Sequence, residues 1–200
     1  RGAYPLIITA LLAGLFVLMT THPRSEMAGN KLIRWLIITW IAQNLFLVAS
    51  TVERTLLYIE SYSLTELRIS ALLWMGLVAV GLVLVTWRML RGNSLVWLVN
   101  GNVLAAFAVL SACTIVDLGA TAATWNVRHA REVGGEGVHL DLCYLNQLEG
   151  SSLTALASLE QRPKLDPAFL QRVILVRQEV QKRIALRQKE KGGWDWRDAQ

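Results

Sequence analysis

Four apolar runs, residues 4–20, 32–50, 71–90 and 95–116, constrain this chain more tightly than anything else in its sequence. Each is close to the roughly 20 residues that a 30 Å hydrocarbon core requires. Lipid offers no partners to backbone polar groups, so such runs are expected to be helices. A buried soluble helix of about 10–14 residues is the competing account of the shortest run, and four runs in succession make it a poor one. The expected fold is therefore all-α. It is a polytopic helical membrane protein with about four transmembrane helices in residues 1–116, a linker over 117–137 and a small, water-exposed helical tail over 138–200.

Charge follows the same division. Residues 1–116 hold 8 Lys/Arg and 4 Asp/Glu, and residues 117–200 hold 12 and 11. The mean hydropathy of +0.39 and the 54% hydrophobic content thus come mainly from the first part. The net charge of +5 is weak evidence for nucleic acid, because much of it flanks apolar runs, where Lys and Arg anchor membrane edges. Trp35, Trp74, Trp87 and Trp97 sit near run ends, as interfacial aromatics do; Trp40 lies deeper. Pro23, Gly29 and Asn30 mark a turn between the first two runs. Arg91-Gly92-Asn93 joins the third and fourth tightly, which makes them antiparallel neighbours. Thr51 to Ser70 reads as a longer, charged connection. Positive charge is balanced across the two sides. Arg88 and Arg91 tip that loop toward the cytoplasm, which places the tail outside it.

In the tail, Gly134-Gly135-Glu136-Gly137 reads as a flexible hinge. Two short helices follow around Gly150, and Asp166-Pro167 opens a third with a cap and a first-turn proline. On that helix Phe169, Val173, Val176, Val180 and Ile184 share one face. Packing on the two preceding helices is the plainer account of that face. A basic amphipathic helix lying on anionic lipid is the sharper one.

Motifs for nucleotide binding, nucleophilic hydrolysis or zinc catalysis are missing, so no catalytic residue, cofactor or metal site is assigned. Cys113 and Cys143 form no CxxC or Cys/His cluster. His22, His129 and His139 are not at ligand spacing and read as incidental surface residues. Polar residues inside the apolar runs say more. Gln43, Asn44, Asn100 and Asn102 are either interhelical hydrogen-bond partners or the lining of a polar path. Gly101, Ala105, Ala108 and Ala112 form a narrow helix face suited to close packing, within the chain or between copies. The densest constellation is Arg54, Tyr58, Glu60, Tyr62, Thr65 and Arg68. Arg54 and Tyr58 are four apart and share a helical face, and Thr65 is a candidate cap. A structural charge cluster and a ligand or interaction site are both compatible with it.

The stretch Arg54-Thr55-Leu56-Leu57-Tyr58-Ile59-Glu60-Ser61-Tyr62-Ser63-Leu64-Thr65-Glu66-Leu67-Arg68 resembles the signature of a bacterial multi-pass membrane family, domain of unknown function four-one-seven-three. Ser63 stands where that pattern usually has glycine, which puts a positive-φ turn there in question. Trp125-Asn126 and Leu140-Asp141-Leu142-Cys143-Tyr144-Leu145 resemble further segments, so the similarity covers most of residues 1–160. It implies a bacterial inner-membrane protein with further spans upstream, and no reaction. The favoured function is a non-enzymatic scaffold, sensor or assembly subunit. Its partners would be the lipid bilayer and a protein bound through the tail or the small-residue face. The alternative is a transporter-like protein with the four amides along a path and Arg54 and Glu60 at its mouth. An enzyme using Glu60 or Asp141 as acid or base is a third class.

Overall fold

The computed structural model describes residues 31–162 and 165–191. The apolar run 4–20 and the turn before Lys31 lie outside these residues. Among them the chain is helical with no strand. Three helices are long and apolar enough to cross a membrane: α1 (Lys31–Tyr62), α2 (Glu66–Arg91) and α3 (Leu95–Ile115). Four further α-helices follow: α4 (Leu118–His129), α5 (Leu142–Gln147), α6 (Leu153–Glu160) and α7 (Pro167–Lys191). The chain divides into two compact units, Arg1–Ser50 with Val78–Val103, and Thr51–Leu77 with Leu104–Gln200.

In the first unit the second half of α2 and the start of α3 form an antiparallel hairpin. Gly92 turns the chain with φ 70. The Arg88 guanidinium donates to the Asn93 carbonyl at 3.3 Å. The Ser94 hydroxyl caps α3 by accepting the Trp97 N–H at 3.2 Å. The helices approach closely where Gly101 faces Leu84 and Gly81 faces Asn102. A methyl group on either glycine would lie about 3.2 or 3.1 Å from those neighbours. Gly101 of the expected small-residue stripe therefore sits in the packing seam, while Ala108 and Ala112 are exposed. From α1, Arg34 donates to the Met89 carbonyl at 2.6 Å. Trp35, Phe46 and Trp87 point outward. Apolar side chains exposed this densely suit a lipid surround rather than water.

The second unit contains the end of α1, the start of α2, the end of α3 and helices α4–α7. Its core holds Val127, Leu145, Leu156, Leu159 and Val173, with Leu140 and Phe169 at its edge. Phe169, Val173, Val180 and Ile184 of α7 are buried, and Val176 packs on the same core. The apolar face of α7 is thus spent on α5 and α6 and is not free for a lipid surface. Its basic flanks hold the same neighbours. Arg177 pairs with Glu160 at 2.6 Å, Arg187 with Glu149 at 2.6 Å, and Arg183 donates to the Asn146 carbonyl at 2.9 Å.

Two local expectations are corrected. Residues 51–62 are not loop: α1 continues through the charged stretch to Tyr62. At 1.5 Å per residue its 32 residues span about 48 Å, well beyond a 30 Å core. Charge alone does not stop a helix whose residues otherwise favour it, and Glu, Arg and Leu are good helix formers. Residues 117–137 are not a plain linker either. They contain α4, capped by Asp117, whose carboxylate accepts the Ala120 N–H at 3.0 Å and the Ser151 hydroxyl at 2.7 Å. The small residues Gly119, Ala122 and Ala123 on α4 are buried, which allows its neighbours to come close. The glycine run is no flexible hinge. The N–H groups of Gly135 and Gly137 bond the carbonyls of Ala130 and His129 at 3.0 and 2.9 Å. No side chain fits at Gly135 against the His129 carbonyl, so glycine is required there by close approach.

Candidate functional site

The site grows from the turn between α1 and α2. A helix ends with unpaired carbonyls and begins with unpaired N–H groups. Here three residues separate an end from a beginning, so both sets crowd together. Arg68, in the first turn of α2, donates to the Tyr62 carbonyl at 2.9 Å and to the Ser63 carbonyl. Ser63 adopts φ 70, so the left-handed turn forms without glycine. The Thr65 hydroxyl accepts the Arg68 N–H at 3.4 Å, the capping role its position suggested. Two side chains from beyond α3 complete the turn. Buried Asn126 accepts the Leu64 N–H at 2.7 Å and donates to the Leu64 carbonyl at 2.8 Å. The Tyr144 hydroxyl accepts the Glu66 N–H at 3.0 Å. Tyr144 is in turn placed by Asp141, which caps α5 by accepting the Tyr144 N–H at 3.0 Å. Burial pushes the Tyr144 phenol above its ordinary value, partly offset by the N–H it accepts. Ile59, Leu64 and Ala122 pack beneath, with Leu72 and Trp125 against them.

The six candidates of the Arg54–Arg68 stretch divide three ways. Thr65 and Arg68 serve the turn. Arg54, Tyr58 and Tyr62 form an exposed strip along α1: Arg54 donates to the Tyr58 hydroxyl at 3.3 Å, and the two tyrosine rings lie 6.0 Å apart. Glu60 faces elsewhere. It lines a cleft of about 450 Å³ together with Trp125, His129, Glu136 and Val138. His129 stacks on Trp125 with ring centroids 4.1 Å apart, and its Nδ1 lies 2.8 Å from the Trp125 carbonyl oxygen. His129 is exposed, and this bond and stack hold its ring against its own helix. Helical spacing inside α4 (125, 126 and 129) could have flagged it, had that segment been read as helix. His139 pairs instead with Glu132 at 3.0 Å. Burial pushes the Glu132 carboxyl up, but the N–H groups of Glu132 and Leu140 and the His139 ring outweigh it. The net effect holds Glu132 below the ordinary carboxyl range.

The four intramembrane amides do not converge on either cleft. Asn44 and Asn102 donate to carbonyls of their own helices, Trp40 at 2.7 Å and Leu98 at 2.9 Å. Gln43 and Asn100 are exposed. A second cleft, about 320 Å³, is lined by Glu66, Ser70, Cys113, Asp117 and Ser151. Among the described residues no group of three or more His, Cys, Asp or Glu side chains is placed to hold a metal ion.

These features define an all-helical protein of membrane type whose first two described helices are joined by a side-chain-pinned turn. The chain belongs to the family described as Domain of unknown function (DUF4153), whose model matches residues 1–159. The motif resemblance likewise points to a domain of unknown function, but under another number; the matching family is 4153, not four-one-seven-three. The match ends before α7. No curated protein and no solved structure matches the chain.

Proposed function

We propose that this chain is a non-enzymatic scaffold, sensor or assembly subunit of the bacterial inner membrane. The observation that carries this reading is how the polar side chains of the turn are used. Arg68, Thr65, Asn126 and Tyr144 all bond main-chain groups, so they fix one arrangement of helices and leave little for substrate chemistry. What remains on the surface is the Arg54, Tyr58 and Tyr62 strip. Arg and Tyr are the residue types that concentrate binding energy at protein interfaces. The positive charge of Arg88 and Arg91 favours a tail outside the cytoplasm.

The transporter-like reading is weaker, because Asn44 and Asn102 satisfy themselves locally rather than lining a path. The test is gentle native purification of the full-length protein followed by mass spectrometry. A stoichiometric protein partner is expected, lost in the double variant Tyr58→Ala, Tyr62→Ala while the fold is kept. A preparation holding no protein partner, or one that retains its partner in that variant, overturns the reading. Deleting residues 138–200 is not a usable test, since it removes Leu145, Leu156, Leu159 and Val173 from the core.

A further inference from the structure

The cleft beside Glu60 offers one kind of chemistry throughout. Its ionisable groups are the carboxylates of Glu60 and Glu136 and the imidazole of His129. Nδ1 of His129 sits on the Trp125 carbonyl oxygen at 2.8 Å, so that nitrogen carries the proton. Among the described residues no Lys or Arg lines the cleft. Arg131, close by in sequence, is held by the Gly137 carbonyl at 2.7 Å. The Asn126 amide, which could have donated, is consumed by Leu64. Stacked Trp125 and His129 supply the aromatic wall and Ile59 an apolar floor.

Two carboxylates and an aromatic wall suit a donor-rich organic cation. The volume of about 450 Å³ falls within the range of small-molecule sites. A metal ion is a poorer fit, since these side chains do not gather to ligating separations. We propose that this cleft binds an ammonium group, with Glu60 and Glu136 as counter-charges and the Trp125–His129 stack as its wall. The ammonium could be carried by a free polyamine or by an aminated lipid headgroup, since α1 runs from an apolar segment directly to Glu60. This site stands whether or not the chain recruits a protein partner.

The experiment uses the full chain in two arms. In maltoside micelles, spermidine is titrated calorimetrically against the wild type, the Glu60→Gln, Glu136→Gln double variant and Glu53→Gln. In nanodiscs of phosphatidylglycerol with or without phosphatidylethanolamine, retained lipid is read by native mass spectrometry. Saturable spermidine binding, weakened at least tenfold in the double variant but not in Glu53→Gln, supports a free amine. Selective retention of phosphatidylethanolamine, lost in the double variant, supports the headgroup. Binding in neither arm, or binding that the double variant leaves unchanged, overturns the proposal. Both substitutions are isosteric and at exposed positions, so folding is preserved and each result is readable.

Discussion

The hairpin of residues 78–103 and the body formed by α4–α7 are both helical, yet they are built on opposite rules. In the hairpin large apolar residues such as Val83, Trp87 and Val96 face outward, and Leu98 is the one buried residue of α3. Its amide Asn102 bonds a carbonyl four residues back on its own helix. In the body Leu145, Leu156, Leu159 and Val173 are fully enclosed, and polar side chains reach across elements: Ser151 to Asp117, Arg187 to Glu149, Asn126 to Leu64. The difference is one of solvent. Lipid gives no reward for burying Leu against Leu, so a membrane helix keeps its own backbone satisfied and packs through small residues such as Gly81 and Gly101. Water rewards burial, so the body folds around a core and uses side-chain bonds to fix its geometry.

The largest expected effect tests that contrast directly. Leu156→Ala should cost about 2–5 kcal/mol, the range for emptying a fully enclosed leucine site. Val96→Ala on α3, where the residue is 66% exposed, should change stability by no more than about 0.5 kcal/mol. Denaturant unfolding in detergent micelles measures both. Equal losses would mean that protein covers the Val96 face, and the contrast would fail.

Asn126→Ala should come next, at about 1–3 kcal/mol, because it strands the buried N–H and carbonyl of Leu64. Asn102→Ala should cost under about 0.6 kcal/mol, since the Leu98 carbonyl keeps its helical bond. Hydrogen exchange at Leu64 adds a local readout: its protection should fall in Asn126→Ala only. Unchanged protection would show that the turn is held by Arg68 and Tyr144 alone.

Ser63→Gly should stabilise. A non-glycine residue in the left-handed region costs about 1–2 kcal/mol, and glycine returns about 0.5–1 of that through unfolded-chain entropy. The net gain is about 0.5–1 kcal/mol, seen as a higher midpoint in the same unfolding experiment. A loss would mean that the serine side chain holds the turn.

How far the sequence disclosed all this depends on range. Long apolar runs, the Arg91-Gly92-Asn93 turn, the Thr65 cap and the Phe169–Ile184 face are set by neighbours a few residues away, and periodicity reveals them. Arg54 and Tyr58 share a face for the same reason. The turn after Tyr62 was hidden because its partners stand 62 and 78 residues downstream, in Asn126 and Tyr144. The resemblance picked out both segments but supplied no role. Helix α4 was hidden differently. Its Gly119, Ala122, Thr121 and Thr124 carry little hydropathic pattern, and only close packing against other helices explains why small residues suffice there. The Glu60 cleft needed both facts at once, the continuation of α1 and the existence of α4.

The smallest effect sharpens the comparison at the edge of the body. Glu132 accepts the Leu140 N–H at 3.1 Å and pairs with His139, and its folded-state titration lies below the ordinary carboxyl value. A carboxyl with a depressed folded value binds fewer protons folded than unfolded. Its stabilisation is therefore complete above the ordinary carboxyl range and fades as pH falls through the lowered folded value. Glu132→Gln keeps one oxygen for Leu140 but cannot titrate. The variant should lose on the order of 0.5 kcal/mol near neutral pH, the scale of a partly exposed pair, and almost nothing in strong acid. Unfolding of both proteins from neutral pH down to about pH 3 should thus give curves that converge. Parallel curves would show that Glu132 acts only as an uncharged acceptor, and that acid sensitivity of the body originates in other carboxylates, with Glu149 and Glu160 against Arg187 and Arg177 the next to examine.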